Sequence, residues 1–479
     1  MARFARVFLC LLLLVFLLPS SMGFANNLDL TGIWSGALDL GVSKLDLVFH
    51  VELGQDGSFS GLMDVPAQGA KGIPITFVGE KDGKIVFDVA LIMGVFTGEF
   101  SQDGLALHGV WEQSGMQLPL TLNSVEETEV PGFNRPQEPQ PPYPYIEEEV
   151  SYLNEEVGIK LAGTLTKPYG EGPFPVVLLI SGSGPQDRNE ELMGHKPFLV
   201  LADYLTRRGI AVLRVDDRGV GESEGDFASA TSLDFASDVL AGVEYLKTRS
   251  DLNPQQIGLI GHSEGGIIAP MVAAESPDVA FIVLMAGPGL NGEEISYLQS
   301  GLIQRAAGVP EEVVTRELEL LREILTINRE VENVQEAEQL IVQATLARID
   351  ELSDAEKEQI GDPDLIIQAQ LAQILSPWFR FFQTYDPQPA LTKVTCPVLA
   401  INGSKDLQVP AKENLSKIEE ALQLGGNQNY TILELPNLNH LFQTAETGSP
   451  EEYMFIEETI SPLALKTMGD WILAVVGGK

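Results

Sequence analysis

Cysteine is nearly absent from this chain: 479 residues hold two. Cys10 sits inside an apolar N-terminal run, so Cys396 has no intramolecular partner and a disulfide-stapled fold is excluded. Cys396 lies just before an apolar strand and reads as a core thiol. Histidine is scarce too, at five, and no two histidines show ligand spacing. The sequence therefore offers no metal site, and no cofactor is expected. Basic residues are few: 30 Lys and Arg stand against 68 Asp and Glu, a net charge of −38. So acidic a surface excludes nucleic acids and anionic membranes as partners. It favours solubility and fits a saline habitat. Phosphate-cradling glycine motifs are missing as well, neither G-x-G-x-x-G nor G-x-x-x-x-G-K-[ST] following the first core strand.

Long apolar runs are missing beyond the N-terminus. Residues 1–25 read as a secretory signal: Arg3 and Arg6, an apolar run from Val7 to Leu18, and Gly23-Phe24-Ala25 as a small-residue cleavage site. The run is short for a membrane anchor. The expected mature chain is exported, periplasmic or extracellular, without a membrane span, and at −40 once Arg3 and Arg6 are gone.

What is abundant is glycine, with 46 residues. Two of them frame the most informative segment, Gly261-His262-Ser263-Glu264-Gly265. It follows the apolar run Ile257–Ile260 and precedes the helix-like stretch 266–274. Strand, G-x-S-x-G, helix is the nucleophile elbow, a sharp turn that exposes one serine hydroxyl at the end of a sheet. A nucleophilic serine needs a base, and the base an orienting acid. In this fold class they follow in the order Ser, acid, His. Of the five histidines only His440 lies downstream of the elbow, in a loop after the strand-like run 430–435. His440 is thus the expected base. The expected acid is Asp406, in the turn Asn402-Gly403-Ser404-Lys405-Asp406 after the strand 398–401. Its rivals, Glu293 and Glu294, open a helix, where acids are expected anyway. Donors for an oxyanion are expected from the backbone N–H of Glu264 and from the loop Ser181-Gly182-Ser183-Gly184, with Ser183 first and Gly182 second.

Residues 26–125 read as an all-β domain of seven or eight antiparallel strands, a small barrel or sandwich, punctuated by the Asp-Gly turns at 56–57, 82–83 and 103–104. Substrate binding, shielding of the site and homodimerisation are the roles open to it, beside a purely structural one. Residues 126–145 are a Glu/Pro-rich linker, expected to be stiff and extended. From 146 to 479 the pattern is α/β: two edge strands near 149–153 and 161–167, then apolar runs at 176–180, 210–215, 257–260, 280–285, 397–401 and 430–435. Near-continuous apolar runs separated by helix-length segments predict an eight-stranded, mostly parallel sheet. The connection 290–390 is too long for a loop and predicts a helical cap, with Val314, Leu318, Leu321 and Leu325 at helical spacing and further helices near 334–352 and 363–383. It ends in an aromatic cluster. Trp378, Phe379, Phe382 and Tyr385 are candidates for an acyl pocket, against the plainer reading of cap core packing. Asp216-Asp217-Arg218-Gly219 and Asp187-Arg188 read as structural turn networks near the site.

Taken together, the segments 181–188, 216–219, 261–266, 378–380, 402–406 and 439–442 resemble the α/β-hydrolases, in particular secreted bacterial two-domain esterases of the serine-aminopeptidase-like (hydrolase-4) branch. The resemblance spans about residues 150–479. It implies Ser263, Asp406 and His440 as a triad, in agreement with the elimination above. Many relatives carry histidine where this chain has Ser181. The expected activity is hydrolysis of a small carboxylic ester, of short acyl chain, through an acyl-enzyme. An aminopeptidase or acyl-peptidase, a thioesterase or acyltransferase, and a binding module with a vestigial hydrolase are the alternatives. A dehalogenase would want an aspartate at the elbow.

Overall fold

The computed structural model describes residues 30–477, apart from 40–43, 55–58, 67–69, 82, 93, 102, 114–115, 127–133, 354–356 and 358–362. The proposed signal and the turn at 56–57 lie outside the described residues, as do parts of the turns at 82–83 and 102–104. The chain divides into two compact units. Of the described residues, one holds those from Leu30 to Asn134 with Leu192–Gly194, the other Arg135–Glu191 and the chain from His195 on.

The first unit is a single antiparallel sheet of nine strands: β1 (Gly32–Asp39), β2 (Lys44–Leu53), β3 (Phe59–Val65), β4 (Ala70–Pro74), β5 (Phe77–Lys81), β6 (Lys84–Val89), β7 (Gly94–Phe100), β8 (Ala106–Gln113) and β9 (Met116–Val125). Their order is β4-β3-β2-β1-β9-β8-β7-β6-β5. The two edge strands are consecutive in the chain. Across the step between them, Ile75 N–H bonds Gly61 O at 2.9 Å and Thr76 N–H bonds Asp88 O at 2.7 Å. The sheet thus curls until its edges are bridged, which is a barrel and not a sandwich, and closure removes the exposed edge strand. The count exceeds the expected seven or eight because a two-residue kink splits the extended stretch 70–81 into β4 and β5. Trp34, Phe49, Phe87, Phe96 and Trp111 alternate inward and fill the interior.

The second unit is built on β10 (Ile146–Asn154), β11 (Ile159–Lys167), β12 (Phe174–Ile180), β13 (Ala211–Val215), β14 (Leu252–His262), β15 (Val279–Met285), β16 (Val398–Gly403) and β17 (Tyr430–Leu435). The order is β10-β11-β13-β12-β14-β15-β16-β17. β11 runs antiparallel to both neighbours, and every pair from β13 to β17 is parallel. Helices α1 (Pro197–Thr206), α2 (Ser232–Lys247) and α3 (Gly265–Glu275) follow β12, β13 and β14. Apolar clusters lie on both faces of the sheet. One joins α2 and α3 to it through Val243, Ile268 and Val272, the other joins α1 through Phe198, Leu201 and Leu205. Burying each such side chain contributes roughly 1.5–3 kcal/mol, so the central strands can be apolar along both edges of their pleat. The segment read as a linker belongs to this unit from Arg135 on. Arg135 donates to the carbonyls of Ile456 (2.9 Å) and Met454 (2.8 Å), and Gln137 to that of Ile460 (2.7 Å).

The long insertion between β15 and β16 is helical: α4 (Gly292–Ala306), α5 (Glu311–Glu330), α6 (Val334–Asp350), α7 (Pro363–Ile374), α8 (Pro377–Thr384) and α9 (Gln388–Leu391). The stretch expected as one helix over 363–383 is two. Pro377 cannot continue a helix, and Ser376 caps the next one by accepting Phe379 N–H at 3.1 Å. Helices α10 (Ala411–Leu424) and α11 (Pro462–Gly477) complete the unit. No helix among the described residues is long and apolar enough to cross a membrane.

Candidate active site

The chain turns sharply at the end of β14. Ser263 has φ +52°, in the left-handed region that a side chain rarely adopts. Its N–H bonds Met285 O at 2.8 Å, tying the turn to the next strand. The turn demands glycine on both sides. A Cβ on Gly261 would lie 1.9 Å from Gly265 O, and one on Gly265 would lie 2.2 Å from Ile180 O. In the stretch 261–270 every residue is buried except Ser263, which remains partly exposed.

Sheet topology brings the loops after β16 and β17 to the same end. His440 and Asp406 are both buried there, and His440 Nδ1 faces Asp406 Oδ2 at 2.7 Å. The other carboxylate oxygen, Oδ1, accepts the N–H groups of Gln408 and Val409, each at 2.8 Å. This fixes the acid's orientation, and with it the ring of His440: Nδ1 donates to the carboxylate, which leaves Nε2 as the proton acceptor. The Ser263 hydroxyl makes no hydrogen bond to a described residue. The rival acids are engaged elsewhere. Glu294 closes a capping box with Asn291 at the start of α4, and Glu293 pairs with Arg329. The other histidines are accounted for as well. His50 bonds Asp64 (2.9 Å) and His108 bonds Thr121 (3.1 Å) in the β-barrel. His195 is buried against Thr459 and the Tyr453 carbonyl, and burial beside Arg135 pushes its pKa down to about 4.

The loop after β12 lies against the elbow. A Cβ on Gly182 would sit 3.3 Å from that of Ser263. The expectation for this loop needs one correction. Gly182 N–H is spent on Glu190 Oε1 at 2.7 Å, so it is not a free oxyanion donor. The N–H groups of Ser183 and Glu264 carry no hydrogen bond among the described residues and stay available. Ser181 bonds Asp217 Oδ1 at 2.8 Å, and Asp217 Oδ2 accepts Gln186 N–H at 2.9 Å. Asp216 gathers Arg188 through Nη2 at 2.7 Å and through the backbone N–H at 2.8 Å. These groups hold the loops and are saturated in doing so.

Of the four aromatic candidates, three come together. Trp378 stacks on Phe382 with ring centroids 5.2 Å apart, and Phe379 lies 6.0 Å from Trp378. Tyr385 does not join them. One helical turn on from Phe381, it stacks with that ring at 5.3 Å, on another face of α8. The reason Trp378 reaches the site was not legible in the sequence: its indole Nε1–H donates to Glu264 Oε1 at 2.8 Å. The same oxygen accepts Ser232 Oγ–H at 2.6 Å. Burial raises the pKa of the Glu264 carboxyl, against the opposing pull of those two bonds. Glu264 thus acts with both ends, its N–H toward the elbow and its side chain toward the cap. The pairing of Glu190 with His262 at 2.8 Å, at the start of the elbow, likewise had no signal in the sequence.

The chain is 29% identical over 312 residues to the esterase EstD of Thermotoga maritima, covering 65% of each chain. It therefore spans just under two thirds of that relative's length. Among solved structures it is similar to an esterase of Pyrococcus furiosus (16% identity, TM-score 0.41, covering 69% of this chain and 91% of that one). It is also similar to Est1E of Butyrivibrio proteoclasticus with ferulic acid bound (19% identity, TM-score 0.40, covering 68% and 99%). The family model that matches is that of X-Pro dipeptidyl-peptidase (S15 family), over residues 157–434. That span takes in the edge strand β11, the elbow, the cap and the acid-bearing loop. The branch matched is S15, where the motifs resemble the serine-aminopeptidase-like branch; the superfamily is the same. The chain belongs to the S15 family of the α/β-hydrolases.

Proposed function

We propose that the protein is a serine hydrolase that cleaves carboxylic esters of short acyl chain through an acyl-enzyme. The observation that supports this is the 2.7 Å contact of His440 Nδ1 with Asp406 Oδ2, taken with a serine held at φ +52° on the elbow. In this reading His440 Nε2 takes the Ser263 proton as the hydroxyl attacks the ester carbonyl, and Asp406 stabilises the imidazolium. The N–H groups of Glu264 and Ser183 receive the oxyanion. The alcohol leaves with the proton from His440, and His440 then activates water to release the acid. The rings of Trp378, Phe379 and Phe382 form the wall that limits acyl length. Export through the N-terminal segment belongs to the same proposal, with cell fractionation as its check.

The family match favours a second reading, a peptidase that removes N-terminal residues. An α-amine needs a free carboxylate near the nucleophile. Glu264 accepts Ser232 and Trp378 through Oε1 alone, and Glu293 takes Arg329 and Gln383 through Oε2 alone, so each keeps an oxygen for an amine and the choice between ester and peptide falls to the substrate panel. The test is a panel of p-nitrophenyl esters of increasing acyl length beside aminoacyl and X-Pro anilides, for wild type and Ser263→Ala. Ester turnover that fades with chain length and vanishes in the variant is the expected result. Preference for the anilides moves the reading to a peptidase, and turnover retained by Ser263→Ala sinks the assignment of the nucleophile.

A further inference from the structure

His262 Nδ1 faces Glu190 Oε1 at 2.8 Å, and its Nε2 faces the backbone carbonyl oxygen of His440 at 3.1 Å. Both partners are acceptors. A neutral imidazole has one N–H and would set a lone pair against an oxygen on its other side. The imidazolium satisfies both. The carboxylate is the matching charge, since Glu190 Oε1 also accepts Gly182 N–H at 2.7 Å. Burial alone would drive the proton off His262, but the adjacent Glu190 carboxylate overcomes it and the pKa is raised. The other charged or titratable groups nearby are Asp406 and His440, whose ring lies 5.0 Å from that of His262.

The pair joins three segments far apart in the chain. Glu190 holds the loop after β12, His262 is the last residue of β14, and the His440 carbonyl belongs to the loop after β17. Those three segments carry the oxyanion donor, the nucleophile and the base of the proposed reaction. Glu190 is itself held in a rare conformation, φ +52°. Its N–H bonds Asp187 O at 2.9 Å, while Asp187 Oδ1 accepts Asn189 N–H (3.0 Å) and Glu191 N–H (2.9 Å). A strained residue kept in place by such a turn points to a function for it.

We propose that Glu190 and His262 are a positioning pair, a buried carboxylate–imidazolium clamp that docks the Gly182–Ser183 loop and the His440 loop onto the nucleophile elbow. This rests on the serine-hydrolase reading. Neither residue touches substrate, so their loss should appear in transition-state stabilisation, in kcat more than in KM.

The test compares wild type with Glu190→Ala and Glu190→Gln. Two readouts are used: kcat and KM on a short p-nitrophenyl ester, and the rate at which a fluorophosphonate labels Ser263. Melting temperatures establish that each variant is folded. Gln is isosteric, and its Oε1 can accept both Gly182 N–H and Nδ1–H as the carboxylate oxygen does, so it should preserve the clamp. The expected result is a fall in kcat and in labelling rate of about 30-fold or more in Glu190→Ala, KM within about threefold, and at least tenfold recovery in Glu190→Gln. A folded Glu190→Ala with wild-type kcat overturns the proposal. Equal loss in the two variants also overturns it, because the hydrogen bonds that Gln keeps would then contribute nothing to placing the loops. Should Glu190→Ala fail to fold, His262→Gln and His262→Asn replace it. Gln places its amide near Nε2 and can hold the His440 carbonyl; Asn places it near Nδ1 and cannot. Wild-type kinetics in His262→Asn would overturn the clamp equally. A wild type that neither turns over the ester nor takes the label defeats the hydrolase reading itself, which is a separate outcome.

Discussion

Trp378 of the cap donates its indole N–H to Glu264, the residue that follows the elbow serine, at 2.8 Å. The cap is thereby tied to the turn that presents Ser263, across 114 positions of sequence. The acceptor is a buried carboxyl, so the bond is worth more than a surface contact of the same length.

Trp378→Phe removes that donor and keeps most of the ring. The cap should loosen over the elbow. The expected outcome is a shift of the ester profile toward longer acyl chains and a loss of stability of about 1–3 kcal/mol. Chain-length profiles and urea unfolding of both proteins check it. An unchanged profile would detach Trp378 from the acyl pocket.

Asp406→Asn keeps the shape of the acid and removes its charge. His440 then loses the partner that fixes its tautomer and stabilises the imidazolium. A drop in kcat of roughly 10⁴-fold is expected, with KM little changed. Loss of less than about tenfold would mean that another acid serves His440.

Glu264 has a carboxyl pKa raised by burial. The folded state therefore prefers its protonated form. That contribution to stability is full below the ordinary value of 4.5 and is lost as pH rises through the raised folded value. Glu264→Gln keeps an acceptor for Ser232 and Trp378 and removes the titration. Its melting temperature relative to wild type should rise as pH increases above about 4.5. A difference that is flat with pH would refute the burial argument.

His195 behaves in the opposite sense. Burial holds its pKa at about 4, below the ordinary 6.5. The fold keeps it neutral, so stability is full above 6.5 and is lost as pH falls toward 4 and the unfolded chain takes up a proton. The loss across that window is about 3 kcal/mol. His195→Gln should flatten the acid limb of a plot of melting temperature against pH between 6.5 and 4. An acid limb as steep as in wild type would count against it.

The nucleophile elbow and the order Ser263, Asp406, His440 were open to sequence reading for a local reason. A strand–turn–helix this tight needs glycine wherever backbones touch, at Gly261 and Gly265, and each partner residue follows an apolar strand. Five histidines made elimination possible. The eight-stranded sheet was legible because strands buried on both faces must be apolar throughout. Periodicity marked the cap helices but not the break at Ser376-Pro377, where a capping hydroxyl and a proline outweigh the apolar pattern. Only tertiary structure decided that Gly182 N–H is consumed by Glu190, that Tyr385 leaves the aromatic group, and that His262 holds the His440 carbonyl. The two hydrogen bonds among these join residues 8 and 178 positions apart. Periodicity reports which face of an element is buried; it does not report which polar groups meet once the faces are packed. Hydrogen-bond pairing depends on distances of a few tenths of an ångström between segments brought together by the sheet order, and that order is a property of the folded chain.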